Sequence, residues 1–209
     1  MSGRLYLDWN ATTPLRPEAR AAMAAAMDVV GNPSSVHAEG RAARALMERA
    51  RAQVAAAVGC KPAEVVFTSG ATEAASVLAR MSGGVTVDPT AHDCLWAHHS
   101  NGAGTLAWGY ANNETGVIAD APEHDGLRLV DIVQAVGKVP LSFAWMGAEM
   151  AIVSAHKFGG PKGVGALILR DGVDLPALGL GGGQEMGRRA GTENISGIAG
   201  MGAAADAAM

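Results

Sequence analysis

The stretch "EVVFTSGATEAASVLAR", residues 64–80, constrains the fold more than any other part of the chain. A short apolar run rich in β-branched residues breaks at a serine–glycine pair and continues as a string of helix formers. That is a buried strand, a glycine turn and a helix. Similar apolar runs at 85–88, 105–110, 127–131, 151–154 and 164–169 read as further strands. Helical periodicity covers 15–30, with Pro17 suited to the first turn, and 38–59, which Gly59 terminates. In the second helix, Ala42, Ala45, Leu46, Val54 and Val58 are expected on one face and Arg44, Glu48 and Arg51 on another. Ile195 to Met209 reads as a last, alanine-rich helix. Alternating strands and helices imply an α/β fold with a largely parallel sheet, in one large domain.

Several function classes drop out early. The formal net charge is −4 with no basic stripe, which argues against a nucleic-acid partner. No apolar run approaches the roughly 20 residues that span a bilayer. "MSGRLYLDWN" lacks a signal peptide's apolar core, and Cys60 and Cys94 make neither a disulfide framework nor a zinc site. These features imply a cytoplasmic protein without a membrane or metal partner.

Three places carry chemistry. In "TSGATEA" (68–74), N–H groups after the glycine point out of a helix N-terminus, so Ser69, Ala71 and Thr72 form either a phosphate cradle or a plain turn with Thr72 as cap. Asp131 ends an apolar strand in "VDIVQAVGK", where it either pairs with a ligand cation or caps the next turn. In "SAHKFGGPKG", Lys157 follows a strand directly. Apolar walls disfavour its charged form and leave a nucleophilic amine; the alternative is a loop lysine, as Lys162 is expected to be. With only Lys61, Lys138, Lys157 and Lys162 against twelve arginines (16 − 4), arginine carries most of the generic surface charge. A phosphate cradle, a strand-end acid and a strand-end lysine together suit one ligand, pyridoxal 5'-phosphate (PLP).

The motifs "YLDWNATTP" (6–14), "GNPSSVHAEGRAAR" (31–44), "VVFTSGATEA" (65–74), "ANNETGV" (111–117), "VDIVQAVGKVP" (130–140), "SAHKFGGPKGVGALILR" (154–170) and "GGGQEMGRRAGTEN" (181–194) resemble, in order, those of class V, fold-type I PLP enzymes, and specifically cysteine desulfurases. The resemblance implies a mixed, mostly parallel sheet flanked by helices, the large domain of a PLP-dependent transferase. Lys157 would hold the cofactor aldehyde, Asp131 the pyridine nitrogen, and Gln134 and Asn113 the ring hydroxyl. Ala71, Thr72, Ser154 and His156 would hold the phosphate. His92 would stack on the ring and move protons, and Asn10 would lie near the substrate carboxylate. Thr192 would reach the phosphate of a second subunit, which implies a homodimer.

Two departures from the family pattern accompany this. His92 and Asn112 lie only 20 positions apart (112 − 92), and "APEHDGLRLVD" stands where a full helix and strand are usual, so the large domain is expected to be trimmed. By the same resemblance, residues 1–15 are expected to form a segment near the substrate site and 16–209 the PLP-binding domain. The small C-terminal domain, with its nucleophilic cysteine loop and carboxylate-clamping arginine, is expected to be absent. Cys60 is expected to pack as a small hydrophobe, and Cys94 stands as an alternative sulfur acceptor. The leading reading is a cysteine desulfurase acting on L-cysteine or a related amino acid, with a sulfur-acceptor or scaffold protein as partner. Selenocysteine or cystine lyase, class V aminotransferase and PLP-binding scaffold are the alternatives.

Overall fold

The computed structural model describes residues 3–209. Six strands form one sheet: β1 (Val65–Thr68), β2 (Val85–Val87), β3 (Thr105–Gly109), β4 (Leu127–Asp131), β5 (Met150–Ser154) and β6 (Gly165–Leu169), in the spatial order β1-β6-β5-β4-β3-β2. Strands β2 to β5 pair in parallel, and β6 runs antiparallel to both β5 and β1. Strands β1 to β5 therefore all point the same way, and β6 begins where the others end. The sheet is mixed and mostly parallel, as the sequence implied.

Strand alternation divides the core in two. Phe67, Trp108, Val130, Ala151, Val153 and Ile168 join the apolar residues of α2 (Ala38–Val58) and α5 (Ile195–Ala207) in one cluster. Val66, Ala107, Leu129, Ile152 and Leu167 face the other way, towards α3 (Ala71–Ala75) and α4 (Asp93–Trp96). The first helix, α1 (Pro17–Met27), packs on α5 and starts at the proline. Gly59 ends α2 with φ +70°, a left-handed geometry that costs glycine little.

Three local expectations need correction. The buried stripe of α2 is Ala43, Met47, Ala50, Val54 and Val58, while Ala42 and Ala45 are exposed. Alanine marks a helix face weakly, because its burial is worth little either way. Arg51, expected on the polar face, is 3 % exposed because its guanidinium meets Glu185. The segment after the serine–glycine pair is helical only over Ala71–Ala75 and then tightens into a 3-10 turn, Ser76–Arg80.

Candidate functional site

The carboxyl ends of β1 to β5 meet at one edge of the sheet, where ligands bind in open α/β folds. A cleft of about 950 Å³ lies there. Asn10, Ala71, Thr72, His92, Asn113, Asp131, Gln134, Ser154, His156 and Lys157 all line it, so the fold gathers ten sequence candidates drawn from six separated segments. Thr192 lies apart, in a small hollow with Thr68, Ser69, Arg189 and Glu193. Lys162, read as a plain loop charge, also lines the cleft.

Asp131 is the last residue of β4, on the α3/α4 side of the sheet by strand parity with Leu129. Its Oδ1 accepts the Val133 N–H at 2.8 Å, and among the described residues Oδ2 accepts nothing. Burial pushes its carboxyl above the usual range, against the pull of that N–H and of the charges on His92 and Lys157. A cation beside Oδ2 would reverse the balance.

Lys157 closes the 3-10 turn Ala155–Lys157 that follows β5 directly. Its Nζ donates to the Asn10 carbonyl. Desolvation lowers the amine's pKa, opposed by Asp131 and Asp8. A lowered pKa raises the share of neutral amine, the form that attacks carbonyls. The same Asn10 carbonyl accepts from Gln134 Nε2 at 2.9 Å, while Asn10 Nδ2 donates to the Asn113 carbonyl at 2.8 Å. One N-terminal residue thus ties together the turns after β3, β4 and β5. His156 is held on this strap: its carbonyl accepts the Thr13 N–H at 2.9 Å, and its Nδ1 lies 3.1 Å from Thr12 Oγ1. Burial and the charges of Lys157, Lys162 and Lys138 lower the pKa of its ring, which favours neutral imidazole.

The turn after β1 is open to an anion. Among the described residues nothing accepts the N–H groups of Ala71 and Thr72 at the start of α3, and the Ser154 hydroxyl beside them has no partner. Glycine at 165 allows this approach, since a Cβ there would come within 2.6 Å of the Gly70 Cα. Glu73 braces the turn by accepting the Ser69 N–H at 2.6 Å and Arg189 Nε at 2.9 Å. This pair joins the turn to segment 181–194 and went unseen in the sequence, because 116 residues separate its members.

His92 caps α4, its Nδ1 accepting the Cys94 N–H at 3.1 Å. In the neutral ring this leaves the proton on Nε2. Cys94 is 9 % exposed and lines the cleft, and burial, then the charge of Asp131, pushes its thiol up to about 12. Cys60 is pushed to about 12 as well and packs against the core. Asn112 is also structural: its Oδ1 accepts the N–H groups of Glu114 and Thr115 at 2.9 Å, and its Nδ2 donates to the Thr90 carbonyl. The cleft as built suits a ligand with an anionic group at one end, a carbonyl near Lys157 and a protonated nitrogen near Asp131.

The aminotransferase class-V family model matches residues 5–117 and 91–209. A cysteine desulfurase IscS of Dictyoglomus turgidum is 35% identical, the alignment covering 100% of this chain and 65% of that protein. A cysteine desulfurase of Cereibacter sphaeroides is 41% identical, covering 99% and 65%. The chain therefore spans about 65% of the length of these relatives. The first alignment runs over 255 positions for 209 residues, so 46 positions (255 − 209) fall opposite gaps within this chain. That agrees with the short connections between His92 and Asp131. Among solved structures, a NifS-like protein from Rickettsia africae superposes with a TM-score of 0.90 at 30% identity, covering 98% of this chain and 68% of that one. SspA in complex with cysteine superposes at 0.87 with 27% identity, covering 97% and 72%. Family model, relatives and fold converge on one conclusion: this chain belongs to the aminotransferase class-V family, and its relatives include cysteine desulfurases.

Proposed function

We propose that the chain binds PLP in the cleft and serves a cysteine desulfurase, taking sulfur from L-cysteine and leaving alanine. The observation that carries this reading is that the Lys157 amine, the free Oδ2 of Asp131 and the open N–H groups of Ala71 and Thr72 face one cleft. The donor set fits the cofactor. Asp131, its charge disfavoured by burial, receives a cationic partner in the pyridinium, and the Ala71–Thr72 turn with Ser154 and neutral His156 receives the phosphate. When bound, PLP supplies an electron sink that stabilises negative charge at the substrate carbons.

The chain's own residues do the rest. Lys157 Nζ supplies a neutral amine for the aldehyde and afterwards a base in the cleft. His92 Nε2 is the second group placed to move a proton there. Gln134 and Asn113 would border the ring hydroxyl, and Asn10, which accepts from Lys157, would lie near the substrate carboxylate. The overall change, cysteine plus a thiol giving alanine plus a persulfide, balances without an external oxidant. Protonated Cys94 is a poor acceptor, so that thiol comes from outside the cleft. Thr192 reaches the phosphate of a second subunit, and the active form is a homodimer. No helix among the described residues is long and apolar enough to cross a membrane, and we place the protein in the cytoplasm.

The test is chemical capture. After PLP loading and borohydride reduction, mass spectrometry is expected to find the cofactor on Lys157 alone, with none retained by Lys157→Ala. Label spread over Lys61, Lys138 and Lys162, or absent, overturns the reading. Cysteine with dithiothreitol is then expected to yield alanine and sulfide. The protonated state of Cys94 favours one second reading, a lyase on selenocysteine or cystine, which needs no protein thiol. Alanine from selenocysteine but not from cysteine would select it.

A further inference from the structure

A second hollow, of about 400 Å³, lies on the α2/α5 side of the sheet, away from the cleft, lined among others by Trp108, Tyr110, Asp120, Leu141, Trp145 and Met146. Neighbouring parallel strands are usually joined by a helical crossover that covers the sheet. The connection from β3 to β4, residues 110–126, contains an isolated bridge between Ala111 and Ile118 and no helix. No crossover helix covers the sheet there, although Trp108 itself is 1 % exposed within the core cluster.

An exposed aromatic side chain stands on the rim of the hollow. Trp145 is 89 % exposed, although Phe143, two residues earlier in the same 3-10 turn, is 1 % exposed. Scattered apolar side chains need no explanation, but a tryptophan on the rim of a tyrosine- and methionine-lined hollow does. The indole N–H of Trp108 is buried and has no acceptor among the described residues.

Charge decides what fills it. Asp120 lines the hollow, and its carboxylate has no hydrogen bond or ion pair among the described residues. Glu123 and Asp125 follow on the same segment, which has no lysine or arginine from 119 to 125. An occupant must bring apolar side chains for Trp145, Leu141 and Met146 and a positive charge for Asp120. An amphipathic peptide segment bearing lysine or arginine beside its apolar residues carries both.

We propose that this hollow is a docking site for a basic amphipathic segment of a partner protein. The assignment is independent of the chemistry in the cleft. Two synthetic 16-residue peptides with the same helical leucine pattern, one with lysine and one with glutamate at the polar positions, are titrated calorimetrically into the full chain. The lysine peptide is expected to bind at least about tenfold more tightly than the glutamate peptide. Its affinity is expected to fall at least about tenfold for Trp145→Ser and for Asp120→Lys, each checked for an unchanged melting profile. Trp145 is nearly fully exposed, so its replacement leaves the fold in place. Equal binding of the two peptides, no binding, or affinities untouched by both variants would overturn the proposal. So would sedimentation showing that the chain self-associates through this face and that Trp145→Ser abolishes the association, since the occupant is then a second copy.

Discussion

Replacing Glu185 by alanine is expected to be the most damaging single change outside the cleft. The Glu185 side chain is fully buried and accepts Arg51 Nη1 at 2.8 Å, Arg51 Nη2 at 2.7 Å and the Phe67 N–H at 2.7 Å. Removing it strands a guanidinium that is 3 % exposed, leaving it the Val65 carbonyl, the Phe67 ring at 4.8 Å and the half-exposed Glu48. It also orphans an N–H on the free edge of β1. Breaking a buried ion pair from one side costs about 3–5 kcal/mol. For a domain of this size, about 2–4 °C per kcal/mol translates this into a melting temperature lower by about 6–20 °C. Equilibrium urea unfolding followed by circular dichroism measures the free energy, and calorimetry measures the shift. Arg51→Met with Glu185→Leu removes both charges together, and the double variant is expected to recover most of the loss. A single-variant cost below about 1 kcal/mol, or a double variant as unstable as the single, refutes the reasoning.

Two further outcomes follow from the cleft. Asp131→Asn is expected to stabilise the cofactor-free protein near neutral pH while abolishing PLP capture. The folded carboxyl has a raised pKa, so its contribution to stability is fully present below the ordinary value of 3.8 and is lost as pH rises through the raised one. The gap in melting temperature between wild type and variant is therefore expected to narrow on acidification, and a gap that is flat with pH would contradict the assigned cause. Gly165→Ala, whose Cβ meets the Val153 carbonyl and Gly70, is expected to cost about 1–3 kcal/mol and to weaken PLP binding, read by urea titration and by fluorescence. Unchanged affinity would show that the Gly70 turn tolerates displacement.

The strand order of motifs and most of the cleft were legible in the sequence for a local reason. A strand end followed by a turn is encoded within a few residues, and parallel strands carry those ends to one edge. Asp131, Lys157 and the Ala71–Thr72 turn were each ambiguous alone, and only their combination pointed to one ligand. What escaped was non-local. Arg51 read as a surface charge because Glu185 stands 134 residues away, and the brace of Glu73 on Arg189 spans 116. The Asn10 carbonyl that receives Lys157 and Gln134 has no side-chain signature at all. The alanine-rich α2 showed its helical period but blurred its phase, so Ala42 and Ala45 were placed inward where Ala43 and Met47 belong.

The convergence of five strand tips has a consequence for how such a chain can change length. Every group in the cleft that is assigned to the ligand hangs from a tip, from the turn just past it, or from the strap of Asn10 to Thr13 that crosses them. The crossovers leave from that edge and return at the far one, so their length is a nearly free variable. The gaps between this chain and its relatives can therefore be pared from the returning segments while the reacting groups keep their mutual spacing. What such paring forfeits is insulation of the sheet's flank, and on that flank the indole of Trp145 stands bare to solvent.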